Sequence, residues 1–203
     1  MPRVSEEHLE RRRRQILDAA RVCFIRKGIH ATSMQDIFAE SGLSAGAVYR
    51  YYKSKNEIIE ANISAVIGDL NAFFGRLADS DPLLPVDELI EQFASRVVSL
   101  SGPDGPLRLA PAAWALAMHD PEIAAYMAGN INGIRETWTR YLRRLVDAGL
   151  LPPGADVVAA GKTLFAILPG FVLQRLILKD VSPEELRRGI RAISRESMLT
   201  LMA

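Results

Sequence analysis

The chain has 203 residues, 49% of them apolar and 24% charged, so it can bury one large core or hold a small head on a larger body. Its single cysteine, Cys23, excludes an internal disulfide framework, and the N-terminus shows no signal-peptide apolar region. No apolar run reaches the roughly 18–20 uncharged residues of a membrane span; the longest, 157–178, carries Lys162, Gln174 and Arg175. These features predict a cytoplasmic protein with no membrane partner. The net charge of +1 conceals an asymmetry: residues 1–55 carry 11 Lys/Arg against 6 Asp/Glu, the remainder 14 against 18. A basic head on an acidic body points to a polyanion partner for the head alone, although a solvated basic helix has the same composition.

Helical periodicity runs through nearly every segment, and strand alternation is absent, which predicts an all-α fold of about nine helices. Residues 6–27 place Ile16, Ala19, Ala20, Cys23 and Phe24 on one face, and Gly28 stops that helix. Ser33 caps a second helix, with Asp36 completing an acidic capping box, and Gly42 ends it. Ser44 caps a short third. A fourth runs from 54 or 55 to about 78 as a rigid connector between a head, 1–56, and a body, 57–203. In the body, helices are expected over 86–100, 107–119, 121–149 and 156–179, and a last one opens at the cap-proline-acid run Ser182-Pro183-Glu184-Glu185.

Residues 33–55 carry the most specific pattern. Two short helices joined at Gly42, with Ile37, Leu43 and Val48 spaced to meet between them, have the layout of a helix-turn-helix, whose second helix enters the DNA major groove. Ala45, Gly46 and Ala47 are wasteful on an ordinary surface helix, since Gly weakens a helix by about 1 kcal/mol. On a recognition helix they let the backbone approach the groove floor, and Ala can touch a thymine methyl. Tyr49, Arg50, Tyr51, Lys53 and Lys55 are of the types that bond phosphates or base edges, and Ser33 offers a hydroxyl and a helix N-terminus to a phosphate.

At these residues the chain resembles the tetracycline-repressor-like (TetR) transcriptional regulators. The pattern Thr-Ser-x-x-Asp-Ile … Ser-Gly-Leu-Ser-x-Gly-x-Val-Tyr-x-Tyr-Tyr-x-Ser-Lys, Thr32 to Lys55, is similar to that family's signature, and the resemblance is strong over roughly residues 10–60. It implies that Ala45, Gly46, Ala47 and Arg50 face bases, that Ser33, Tyr49, Tyr51 and Lys55 hold phosphates, and that Val48 and Tyr52 are core. With Ser44, these make the expected DNA-binding set. Phe38 departs from the family, which most often has Ala there, and Ala45 stands where many relatives carry a polar side chain. Base reading by hydrogen bonds is left mainly to Arg50.

For the body, a helix over 156–179 that is apolar nearly all round must be covered on several sides, and the last helix offers Leu186, Ile190, Ile193 and Leu201 on one stripe. The resemblance implies a homodimer built on these two helices. It also implies an effector site, for which Phe93, Trp114, Met118, Met127, Trp138 and Phe165 are candidate lining residues, although each also suits an ordinary core. His119, Asn130, Arg135, Gln174 and Arg175 are candidates to orient such a ligand; Arg175 suits an intersubunit ion pair equally. Pro169-Gly170 predicts a kink in the eighth helix.

His8, His30 and His119 have no metal-ligand spacing, and there is no phosphate loop, nucleophile elbow or Cys/His pair. No catalytic residue, metal or cofactor is therefore expected. The sequence supports a dimeric regulator of the repressor type that binds a double-stranded operator and is released by a small, largely apolar ligand. A regulator whose body docks a protein or nothing is the alternative, and an all-helical enzyme a remote one.

Overall fold

A computed structural model describes the backbone of residues 6–201 and the side-chain surroundings of 6–193. Among the described residues the architecture is all-helical: α1 (Glu6–Lys27), α2 (Met34–Ser41), α3 (Ala45–Tyr49), α4 (Lys55–Ala78), α5 (Val86–Ser99), α6 (Ala110–Ala117), α7 (Pro121–Asp147), α8 (Val157–Ile177) and α9 (Pro183–Leu201). The expected all-α fold of nine helices is found.

The sixth helix is shorter than expected. Residues Pro106–Leu109 form a 3-10 turn, and the α-helix begins only at Ala110. Pro111 is the cause: it has no N–H to bond the Leu107 carbonyl, which the Ala110 N–H takes instead, three residues on. The caps fall where the sequence puts them. The Asp120 carboxylate accepts from the N–H groups of Glu122 and Ile123, and Ser182 and Glu185 form a reciprocal capping box.

The chain forms two compact units, Met1–Val66 with Pro103–Tyr126, and Ile67–Gly102 with Met127–Ala203. In the first, α1 buries Ile16, Ala19, Ala20, Cys23 and Phe24 on the stripe its periodicity defines. Ile37 of α2, Val48 of α3 and Ile58 of α4 are fully buried, and Tyr52 is nearly so. Cys23 is a small buried hydrophobe, and burial raises its thiol pKa.

In the second unit, Phe74, Phe93, Trp138 and Tyr141 form a chain of ring contacts, with centroids 4.6–6.0 Å apart. The Tyr141 hydroxyl donates to the Leu84 carbonyl at 2.6 Å, and Arg144 donates to the carbonyls of Ala78 and Ser80. Arg187 of α9 reaches three carboxylates of α5, Asp87 at 3.0 Å and Glu88 and Glu91 at 2.7 Å. The helix α8 buries Leu168, Phe171 and Val172 and continues through Pro169.

Candidate nucleic-acid interface

The helix-turn-helix is held by short-range chemistry. Ser33 accepts the Asp36 N–H at 3.2 Å, while the Asp36 carboxylate accepts the Ser33 N–H at 2.9 Å and its hydroxyl at 2.8 Å. Lys27 of α1 pairs with the same carboxylate. The Lys27 ammonium first, then the Ser33 N–H and hydroxyl, hold Asp36 well below the usual carboxylate range. Arg26 pairs with Glu40 at 3.0 Å and Gln15 donates to the Ser41 carbonyl at 2.8 Å, so with Lys27 on Asp36 α1 grips both ends of α2. Gly42 turns the chain at φ 66°, a left-handed conformation that L side chains adopt at a cost.

Ser44 caps α3 by accepting the Ala47 N–H at 3.3 Å. Ser44, Ala45, Gly46, Tyr49 and Arg50 are exposed, Ala47 is half-buried, and Val48 alone points into the core. A Cβ added at Gly46 would meet nothing within 4 Å. Nothing among the described residues therefore requires glycine there, which leaves the small-residue face to be explained from outside. Phe38 sets its ring edge-on to Tyr49, centroids 5.5 Å apart. The large residue at 38 thus supports the base of the Tyr49 ring, which stays 42% exposed. Tyr51 is half-buried.

Two expected contacts have partners inside the chain. The Ser33 hydroxyl is engaged by Asp36, so it must turn to reach a phosphate. The Lys55 ammonium donates to the carbonyls of Ile29 and Thr32, each at 3.0 Å, and more weakly to His30 at 3.4 Å. It ties the start of α4 to the loop before α2. This was not legible locally, because the acceptors lie 23–26 residues away. Lys53 behaves differently, donating to the Tyr49 carbonyl at 2.8 Å across the end of α3. Behind α3, Tyr51, Tyr52, Glu57, Glu60, Ala61, Ser64 and Tyr126 line an open groove of about 340 Å³ that the sequence does not mark.

The residues expected to line an effector site fall in both compact units. Trp114 and Met118 belong to the first compact unit, and Met118 is 79% exposed at the end of α6, facing solvent. Phe93, Met127 and Trp138 are buried in the second. Phe165 of α8 lies against the Arg135 guanidinium, 5.4 Å from ring centroid to charge centre. Arg175 donates to the Val181 carbonyl at 3.4 Å, closing the turn after α8. The Nε atoms of Arg135 and Trp138 are both buried without a hydrogen-bond partner among the described residues. A donor left so costs about 1–3 kcal/mol. Among the described residues no group of three metal-ligating side chains occurs.

By length and composition alone, α8 is apolar enough to cross a membrane, yet only 22% of that stretch is buried in the chain. Val158, Leu173, Ile177 and Leu178 stand exposed, as does Ile193 on α9. Leu201, expected on the same stripe, has a side chain outside the described residues.

Residues 16–61 match the family model for bacterial regulatory proteins, tetR family, and residues 86–196 match that for the C-terminal part of BetI-type transcriptional repressors. An uncharacterized HTH-type transcriptional regulator, YfiR of Bacillus subtilis, is 24% identical over 88% of this chain and 87% of its own. Among solved structures, Salmonella enterica GusR superposes with a TM-score of 0.77 at 21% identity, over 94% of this chain and 98% of its own. A triclosan complex of SmeT, the repressor of a Stenotrophomonas maltophilia multidrug efflux pump, superposes at 0.67 with 28% identity, over 88% of this chain and 85% of its own.

Proposed function

This chain belongs to the tetR family of bacterial regulatory proteins, transcriptional regulators and not enzymes, and on that premise we propose that it is a cytoplasmic repressor that binds a palindromic operator as a homodimer and is released by a small apolar ligand. In this reading residues 1–56 are the DNA-binding head and 57–203 the sensing and dimerising body. The observation that carries it is the exposed run Ser44-Ala45-Gly46 at the start of α3, with Ala47 half-buried beside it, packed from below by Val48 and flanked by exposed Tyr49 and Arg50. That face brings backbone close to base edges, with Arg50 as the long donor; Tyr49 and Tyr51 hold the phosphates on either side. The backbone N–H groups at the start of α2, beside Ser33, hold another.

The exposed apolar residues Leu173, Ile177 and Leu178 at the end of α8 support the dimer. A second copy covers Leu173, Ile177 and Leu178 of one subunit with the same residues of the other, as a two-fold interface requires. Two heads then read two half-sites about one helical turn apart. The effector acts by binding one conformation of the body better than the other, which shifts the dimer toward heads that no longer match that spacing. SmeT with triclosan is a relative caught with a small apolar compound.

A gel-shift comparison of the chain's own promoter region with random DNA tests this reading. Strong preference for the promoter supports it, and equal affinity overturns it. Arg50→Ala, in the same assay, is expected to cost about 1–3 kcal/mol and to relax discrimination at one base pair.

A further inference from the structure

The inference concerns what the body binds, and rests on the reading of that body as a ligand sensor. Arg135 and Trp138 stand one turn apart on α7, so their side chains share a face. The helix α8 covers both. Gly161 packs so closely on Trp138 that a Cβ there would come within 3.3 Å of the Trp138 Cβ, and Phe165, one turn later, lies under the Arg135 guanidinium. Trp138 is 0% exposed, with Phe74 and Tyr141 against its ring. Its indole N–H, a donor only, has no acceptor, and neither has the Arg135 Nε.

Arg135 stands apart from several other arginines of the body, which hold acceptors. Arg140 on the same helix pairs with Asp79, Arg144 bonds two carbonyls, and Arg96 and Arg187 are held by carboxylates. Arg135 has no carboxylate within 4.0 Å among the described residues; a ring face is what it touches. A half-buried guanidinium and a buried indole N–H one turn apart on α7 are two donors, one of them charged. Chemistry that satisfies both is an anionic oxygen pair on an apolar stem: one oxygen for the guanidinium, as in charge-assisted pairs, and one for the indole.

We propose that Arg135 and Trp138 form the acceptor end of the effector site, and that the effector is an apolar carboxylate. Phe165, under the Arg135 guanidinium, flanks its stem. Binding satisfies two donors that are otherwise without acceptors, so the acid binds better than a neutral compound of the same shape.

The test is titration of the full chain, by calorimetry, with straight-chain carboxylates of six, ten and sixteen carbons below their micelle concentrations, each beside its methyl ester. The result expected is at least one acid binding tenfold or more tighter than its ester. Arg135→Gln is expected to abolish that preference, and Trp138→Phe, which keeps the ring and removes the N–H, to reduce it. In a Trp114→Phe background, leaving Trp138 as the sole tryptophan, the acid should change its fluorescence while the ester should not. Circular dichroism melting of each variant shows that it is folded. Equal binding of acid and ester, no binding by any acid, or an acid preference that survives Arg135→Gln overturns the proposal. A gel shift separates the two layers. An acid that binds through Arg135 without releasing DNA sinks the sensor reading and leaves the site standing; release by the esters with no acid preference does the reverse.

Discussion

The Lys55 ammonium donates to the Thr32 carbonyl at 3.0 Å, joining the first residue of α4 to the residue before the α2 cap. A lysine of the pattern that reads as phosphate contacts therefore has an architectural partner set. Hydrogen bonds to charged groups contribute about 1.5–3 kcal/mol. Lys55→Ala is expected to destabilise the chain by about 1–3 kcal/mol in chemical denaturation. The slope of log affinity for DNA against log salt should stay unchanged, whereas loss of a phosphate contact lowers it by about 0.9. A changed slope with unchanged stability would return Lys55 to the phosphate set.

Gly46 separates DNA binding from folding. With no atom within 4 Å of an added Cβ and an ordinary helical backbone, Gly46→Ala should leave the fold intact or raise its stability, by at most about 1 kcal/mol. It should nevertheless weaken operator binding, because the methyl group stands between α3 and the groove floor. Melting curves and gel shifts on the same variant check both halves. Unchanged DNA affinity would remove Gly46 from the reading face.

The Asp36 carboxylate, paired with Lys27 and Ser33, gives the head an acid-sensitive joint. Its pKa in the folded chain lies below the unfolded value of about 3.9. Its contribution to stability is therefore complete above that value and fades as pH falls through the depressed one. Asp36→Asn should lower the melting temperature at neutral pH, and the gap between variant and parent should close in strong acid. A gap that is constant with pH would show that the ion pair contributes nothing.

Ile177 is 70% exposed near the end of an apolar helix. If a second copy covers α8, Ile177→Asp should yield a folded monomer by light scattering, with little change in the stability of the single chain and a large loss of operator affinity. A dimer that persists would place the interface elsewhere.

Much of the head was legible because its signals are local. Ser33 with Asp36, Ser44, and the stop glycines Gly28 and Gly42 act within four residues of themselves, and all four behave as the sequence implies. What was missed depends on distance. Lys55 finds carbonyls more than twenty residues upstream, and Arg187 finds three carboxylates 96–100 residues away. No periodicity announces either. The aromatic and Met residues expected in a pocket differ from one another for a related reason. Hydrophobicity marks Met118 and Trp138 alike, but packing leaves the first 79% exposed and the second fully buried. Arg135 is legible as an arginine on an amphipathic helix; that no carboxylate among the described residues reaches it appears only when the helices are assembled.

The central claim, a dimer reading DNA through the sparse face of α3, is tested most directly by selecting bound sites from a pool of random double-stranded DNA. The account predicts enrichment of a palindrome whose half-sites lie about one helical turn apart, with one strongly fixed base pair per half-site that Arg50→Ala relaxes. Enrichment of no sequence, or of a single unrepeated half-site, would contradict it.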